Sequence, residues 1–148
     1  MADQITQTII VERNINDVFQ LWANFENFPQ FMKNIKSVRK MGDRKSHWVM
    51  DGPLGKNVEW DADTTVLEPN KRIAWQSSGG TIDTKGEVLF RSINPDETEV
   101  TATIQYKAPT GAETIAKLFD NPEKKLKEDL ENFKQFAEST VSSHTDRL

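Results

Sequence analysis

The 148-residue sequence predicts an α+β fold: one curved, seven-stranded antiparallel sheet wrapped around a long C-terminal helix, with two short helices between strands one and two. Three observations predict it. From Ile35 to Lys107 apolar and polar side chains alternate with a period of two, interrupted only at turn residues. From Pro122 to about Ser139 the spacing becomes helical, and Leu126, Leu130, Phe133 and Ala137 form one apolar stripe. Between the first strand and the period-two region lies a short, aromatic-rich segment of helical spacing, split by Pro29.

Residues 4–13 read as a strand, with Ile5, Gln7, Ile9 and Val11 on one face and Thr6, Thr8, Ile10 and Glu12 on the other. Asn14, Asn16 and Asp17 offer oxygens to cap a helix that carries Val18, Phe19 and Trp22 to about Ala23. A second helical piece, residues 27–33, carries Phe28, Phe31 and Met32, so the two helices form an aromatic V together with Phe25.

Turns at Gly42-Asp43, Gly52-Pro53-Leu54-Gly55, Pro69-Asn70, Ser78-Gly79-Gly80 and Asn94-Pro95-Asp96-Glu97 divide the next stretch into six strands joined as a meander. The inward face takes Trp48 and Met50; Val58, Trp60, Ala62, Thr64 and Val66; Ile73 and Trp75; Ile82, Gly86, Val88 and Phe90; and Val100, Ala102, Ile104 and Tyr106. The outward face takes Glu59, Asp61, Asp63, Gln76, Glu87, Arg91, Thr101, Thr103, Gln105 and Lys107, the pattern of a sheet wetted on one side. Segments 56–67, 82–93 and 97–108 are each about twice an ordinary strand in length, so the sheet should twist and curl, with Gly86 as a bend point. Residues 111–119, with Ile115, Leu118 and Phe119, form a helical turn or two at the mouth of the resulting cup. Asn121 caps the last helix and Pro122 occupies its first position, where a missing N–H costs nothing. That rod of roughly 25 Å must lie on something. The polar residues 142–148 read as a frayed tail.

The length fits one domain over residues 1–148, with a core that needs no staples. The chain has no cysteine, which excludes disulfides, thiolate metal sites and a cysteine nucleophile, and fits a reducing compartment. No basic start is followed by an apolar run, and no stretch is long enough to span a bilayer, so the expected location is cytoplasmic. A net charge of −4, with both signs interspersed, argues against a nucleic-acid partner. No cofactor is expected, because the glycine pairs read as hairpin turns with no helix N-terminus behind them. No residue pattern specifies an oligomeric state.

The segment Leu21-Trp22-Ala23-Asn24-Phe25-Glu26-Asn27-Phe28-Pro29-Gln30-Phe31-Met32 resembles the START-like (SRPBCC) superfamily, which includes pollen allergens, polyketide cyclase/dehydrase proteins and coenzyme-Q-binding proteins. So do Trp48 with Gly52-Pro53-Leu54-Gly55, Val58-Glu59-Trp60-Asp61-Ala62, Arg72-Ile73-Ala74-Trp75, Gly86-Glu87-Val88-Leu89-Phe90 and Asp129-Leu130-Glu131-Asn132-Phe133-Lys134. The resemblance covers nearly the whole chain and is strongest to the bacterial cyclase/dehydrase-like branch. It implies the helix-grip fold and a cavity between sheet and helix that holds lipids, quinones, polyketides or aromatic metabolites.

On this reading the ligand-binding candidates are Trp48, Met50, Trp60, Trp75, Phe90, Ile104, Tyr106, Phe28, Phe31, Leu118, Phe119 and Leu126. The tryptophans suit a stacking wall for a flat ligand and suit a broad core equally. Tyr106, the only tyrosine, is the one candidate acid if the cavity belongs to a cyclase or dehydratase, but the expectation is non-covalent binding without catalysis. Glu59, Asp61 and Asp63 are spread along one strand face and read as solvated surface, not a metal site. His47 points outward and His144 lies in the tail, with no serine or carboxylate partner suggested by spacing. If exposed, Phe25, Phe28, Phe31 and Met32 would form a lipophilic portal, a peripheral membrane contact or a protein interface; if buried, they close one end of the core.

Overall fold

The first strand, β1 (Asp3–Val11), feeds α1 (Ile15–Ala23) through a capped turn. Asn14 Oδ1 accepts from the Asp17 amide at 2.9 Å, and Asp17 in turn pairs with Arg13 at 2.9 Å. The computed structural model describes residues 3–32, 35–51, 57–80, 83–107 and 122–145, of which 3, 79, 80, 83, 106, 107, 122 and 140–145 are described as backbone only. The second helical piece is a 3₁₀ helix, Phe25–Gln30, earlier and tighter than the expected 27–33. Pro29 has no N–H to donate, and the closing bond from the Phe31 amide to the Phe28 carbonyl, 3.1 Å, is of the i to i+3 type.

Six further strands follow: β2 (Ile35–Lys40), β3 (Lys45–Asp51), β4 (Asn57–Glu68), β5 (Arg72–Gly80), β6 (Asp83–Asn94) and β7 (Glu97–Lys107). The sheet order is β1-β7-β6-β5-β4-β3-β2, every neighbouring pair antiparallel. The meander therefore runs unbroken from β2 to β7, and β1 joins at the far side. The turns at Gly42-Asp43, Pro69-Asn70 and 94–97 form as the residues dictate. Asn70 takes a left-handed φ of 61°, which its short polar side chain tolerates, and Asn94 Oδ1 accepts from the Asp96 amide at 2.9 Å. Residues 52–55, expected as a turn, lie outside the described residues.

Two sequence expectations are corrected within β4 and β5. Ser78-Gly79-Gly80 is not a turn: β5 continues to Gly80, with Gly79 opposite Asp61 and Gly80 opposite Trp60, and Ser78 sits unpaired at a register shift. A second shift, between Thr64 and Val66, reverses the alternation of β4. Val66 then pairs with Ala74, and Leu67, 40% exposed at the rim, falls opposite the buried Ile73. Each extra residue bends its strand and increases the local twist, so these bulges curl the sheet into a half-barrel.

The C-terminal helix (Pro122–Thr145) starts where Pro122 predicts and runs six residues past Ser139, so the first residues of the polar tail are helical. The capping role expected of Asn121 lies outside the described residues. Its stripe is buried as expected: Leu126, Leu130, Phe133 and Ala137 are all in the core, each of the large ones contributing roughly 1.5–3 kcal/mol. The helix packs along β1 and touches α1. Polar groups fix that docking, since Lys134 Nζ donates to the Ile10 carbonyl at 3.0 Å and the Glu12 amide donates to Glu138 Oε2 at 2.9 Å. The Ile10 carbonyl belongs to the edge strand β1 and the Glu12 amide to the residue just past its end. At the opposite edge the 3₁₀ helix packs on β2, where the Lys40 amide donates to Glu26 at 3.2 Å.

Candidate functional site

The concave face of the sheet is apolar and largely aromatic. Trp48 of β3 and Trp60 of β4 are register partners, and their rings stack with centroids 5.9 Å apart and planes within 11°. The Trp48 indole N–H is satisfied locally by Ser46 Oγ at 2.8 Å, so the pair presents apolar faces without an orphan donor at Trp48. Phe25 and Phe28 of the 3₁₀ helix meet Trp48 at 5.8 and 5.2 Å, and Phe25 also meets Trp75 edge-on at 6.1 Å. The Trp75 indole covers Gly86, where an added Cβ would stand 2.3 Å from the ring. Gly86 is therefore a clearance for the ring, a role its mid-strand position alone does not reveal.

Eight of the twelve residues expected to bind a ligand are gathered into one buried cluster: Phe28, Phe31, Trp48, Met50, Trp60, Trp75, Phe90 and Leu126. Ile104 packs against it, half-buried. Tyr106 lies on β7 opposite Asp3 and Thr84, with only its backbone described. Leu118 and Phe119, like the whole helical segment expected over 111–119, lie outside the described residues. The portal reading of the aromatic V is corrected, because Phe25, Phe28 and Phe31 are no more than 6% exposed and only Met32 is half-buried. Those rings close one end of the core.

Trp22 is the residue sequence reasoning undervalued. Its helical spacing with Val18 and Phe19 places it on the buried stripe of α1, yet the structure makes it a hub: its ring meets Phe28, Phe31 and Phe133 at 5.1, 5.6 and 4.9 Å. It thus joins α1, the 3₁₀ helix and the C-terminal helix in one contact set.

Among the described residues the buried polar side chains are only Ser46 and Thr98, and neither titrates near neutral pH. Thr98 Oγ1 donates to the Arg13 carbonyl at 2.8 Å, which is a structural use. The described interior can desolvate and stack a guest; it holds no acid–base pair. Two clefts flank the C-terminal helix, one of about 310 Å³ beside Pro29, Phe31, Asn132 and Phe136, the other of about 390 Å³ beside Thr8, Ile10, Lys127 and Leu130. Neither touches the indole wall.

The convex face carries the charge, in cross-strand pairs. Lys36 meets Asp51 at 3.7 Å, Lys45 meets Asp63 at 3.8 Å, Arg91 meets Glu99 at 3.0 Å, and Arg72 meets Glu87. His47 has the carboxylate partners that its spacing did not suggest: Nδ1 is 2.7 Å from Asp61 and Nε2 is 2.8 Å from Glu59. The hydrogen bond to Asp61, then that to Glu59, raises its pKa above the ordinary histidine value. The strand pairing sets His47 opposite Asp61, whereas a turn closed by Gly52 and Gly55 would set it opposite Trp60, so the turn residues alone do not reveal the partner.

No helix of the described residues is long and apolar enough to cross a membrane. Comparison with known proteins agrees with the architecture. A protein of Streptomyces lincolnensis, described only as an uncharacterized 17.2 kDa protein, is 30% identical over 135 residues, 91% of this chain and 89% of its own length. The crystal structure of the ZhuI aromatase/cyclase from Streptomyces sp. R1128 superposes with a TM-score of 0.77 at 15% identity, covering 95% of this chain and 96% of that one. A START superfamily protein from Mycobacterium smegmatis superposes with a TM-score of 0.72 at 14% identity, covering 95% and 97%. These two show the fold. With its START-like fold and a match along residues 11–143 to the model of the polyketide cyclase / dehydrase and lipid transport family, the chain belongs to that family.

Proposed function

We propose that this protein binds an apolar, flat small molecule, such as a quinone, a polyketide-like aromatic or a lipid with a rigid apolar body, between the sheet and the C-terminal helix, without covalent chemistry. The observation that carries this reading is the stacked Trp48–Trp60 pair on a concave face whose described buried side chains hold no titratable group. Each 100 Å² of apolar ligand surface leaving water contributes roughly 2.5 kcal/mol, so shape and desolvation suffice for capture. Trp48, Trp60 and Trp75 form the wall in this reading. A cyclase or dehydratase would need a group of shifted pKa inside the cavity, and that alternative is not favoured. The cysteine-free sequence fits action in a reducing, cytoplasmic setting.

Tryptophan fluorescence titrated with a naphthoquinone, a long-chain fatty acid and a polycyclic aromatic hydrocarbon tests the reading. At least one should quench or shift the emission saturably, and Trp60→Ala should weaken that binding about tenfold or more, on the scale of a lost aromatic contact. If none of the three perturbs the emission, and native mass spectrometry of protein from its own host finds no small molecule bound, the reading is wrong.

A further inference from the structure

His47, Glu59 and Asp61 lie on the convex face, directly behind the indole wall. In the β3–β4 ladder His47 is opposite Asp61, and the next position pairs Trp48 with Trp60. One strand pair therefore carries the imidazole clamp on its outer side and the stacked indoles on its inner side, one residue apart. Both ring nitrogens of His47 sit within hydrogen-bond distance of carboxylate oxygens, 2.7 Å to Asp61 and 2.8 Å to Glu59. An ionised carboxylate only accepts, so both nitrogens must donate, and that is the doubly protonated ring. A neutral imidazole keeps one N–H; its other nitrogen would turn a lone pair toward a carboxylate.

We infer that His47 is a proton-operated clamp across β3 and β4: protonated, it ties Glu59 and Asp61 together behind Trp48 and Trp60, and deprotonation releases one bond and loosens the wall. The neighbouring charges on this face are Arg39, across from His47 on β2, the Lys45–Asp63 pair that continues the row on one side and the Lys36–Asp51 pair that continues it on the other. Arg39 is positive and makes no hydrogen bond to the ring, so it opposes the clamp only through distance and solvent. The inner side brings indoles and no charge. The sign follows from the raised histidine pKa: the clamp is fully made below the ordinary histidine value and is lost as pH rises through the raised one. The strand pair is therefore tightest in mild acid and looser in mild alkali. This geometry stands without reference to any ligand.

The test is an NMR pH titration of the uniformly ¹⁵N-labelled, ligand-free protein from about pH 5 to about pH 10, following the His47 ring nitrogens and the indole N–H signals of Trp48 and Trp60. Expected are a His47 midpoint above the ordinary value and movement of both indole signals with that same midpoint. Glu59→Gln and Asp61→Asn should each lower the midpoint, and in His47→Gln the two indole signals should stay still over the range. A His47 midpoint at or below the ordinary value, or indole signals that ignore it, overturns the inference. Should His47→Gln fail to fold, the coincidence of midpoints in the unmodified protein decides alone. Because no ligand is added, failure here is distinct from failure of the binding reading.

Discussion

Replacing Gly86 with alanine adds one methyl group where the structure has no room for it. The new Cβ would lie 2.3 Å from Cζ2, 2.6 Å from Cε2 and 3.0 Å from Cη2 of Trp75, so the indole must retreat by more than an ångström to restore ordinary contact. It cannot retreat freely. The ring is only 9% exposed and Phe25 lies edge-on against it at 6.1 Å. Overpacking of a stiff core side chain costs about 1–3 kcal/mol. The alanine returns about 0.4–1 kcal/mol by restricting the unfolded chain, which leaves a net loss of about 1.3 kcal/mol between the centres of the two ranges. In urea unfolding followed by circular dichroism, with a slope of about 1–3 kcal/mol/M, the midpoint should fall by roughly 0.4–1.3 M. Pairing the change with Trp75→Ala isolates the contact. In that background Gly86→Ala should be neutral or stabilising, a coupling of at least about 1 kcal/mol. A Gly86→Ala protein as stable as the parent, or an equal loss with and without Trp75, would refute the clearance argument.

Two further substitutions probe the docking of the C-terminal helix. Phe133→Ala empties a fully buried site against Trp22 and Phe31 and should cost about 3–5 kcal/mol by thermal or urea unfolding; a loss below about 1 kcal/mol would mean the stripe is not seated as described. Glu138 gives an acid limb. Burial pushes its carboxyl up, but hydrogen bonds from Lys134 and the Glu12 amide, with the Lys134 charge, together hold it below the ordinary carboxylate value. Its contribution is then present above that ordinary value and lost as pH falls through the lowered one. Glu138→Gln should destabilise by up to about 1 kcal/mol at neutral pH and progressively less in acid, and an equal difference across the whole range would contradict the assignment.

The sheet was legible because one side of it is dry. Period-two alternation survives wherever a strand is wet on one face, so Trp48 and Met50 of β3, Val88 and Phe90 of β6, and Val100 and Ala102 of β7 were all read correctly as inward. Legibility failed where an extra residue entered. The shift between Thr64 and Val66 reverses the pattern without leaving a compositional mark, and Gly79-Gly80 resembles a turn although its backbone pairs with Asp61 and Trp60. The aromatic V was legible as a set of rings but not in its exposure, since burial of Phe25, Phe28 and Phe31 depends on Trp22, Trp48 and Phe133 arriving from three other elements. The indole wall was visible as three inward tryptophans. The stack of two of them depended on Trp48 and Trp60 being true register partners, a matter of hairpin length through residues 52–56. His47 was misjudged for the same reason: cross-strand neighbours are far apart in sequence and adjacent in the ladder.

The way Lys134 and Glu138 hold the backbone at the end of β1 has a consequence for how the chain can be shortened. If the helix were cut before residue 134, the Ile10 carbonyl of the edge strand β1 and the Glu12 amide just past its end would lose these partners, and an uncovered edge strand is a template for another copy of itself. A truncated chain should thus fail by self-association into β-rich aggregates sooner than by simple melting, and a solubility screen of successive C-terminal deletions would show the break at the turn that carries Lys134.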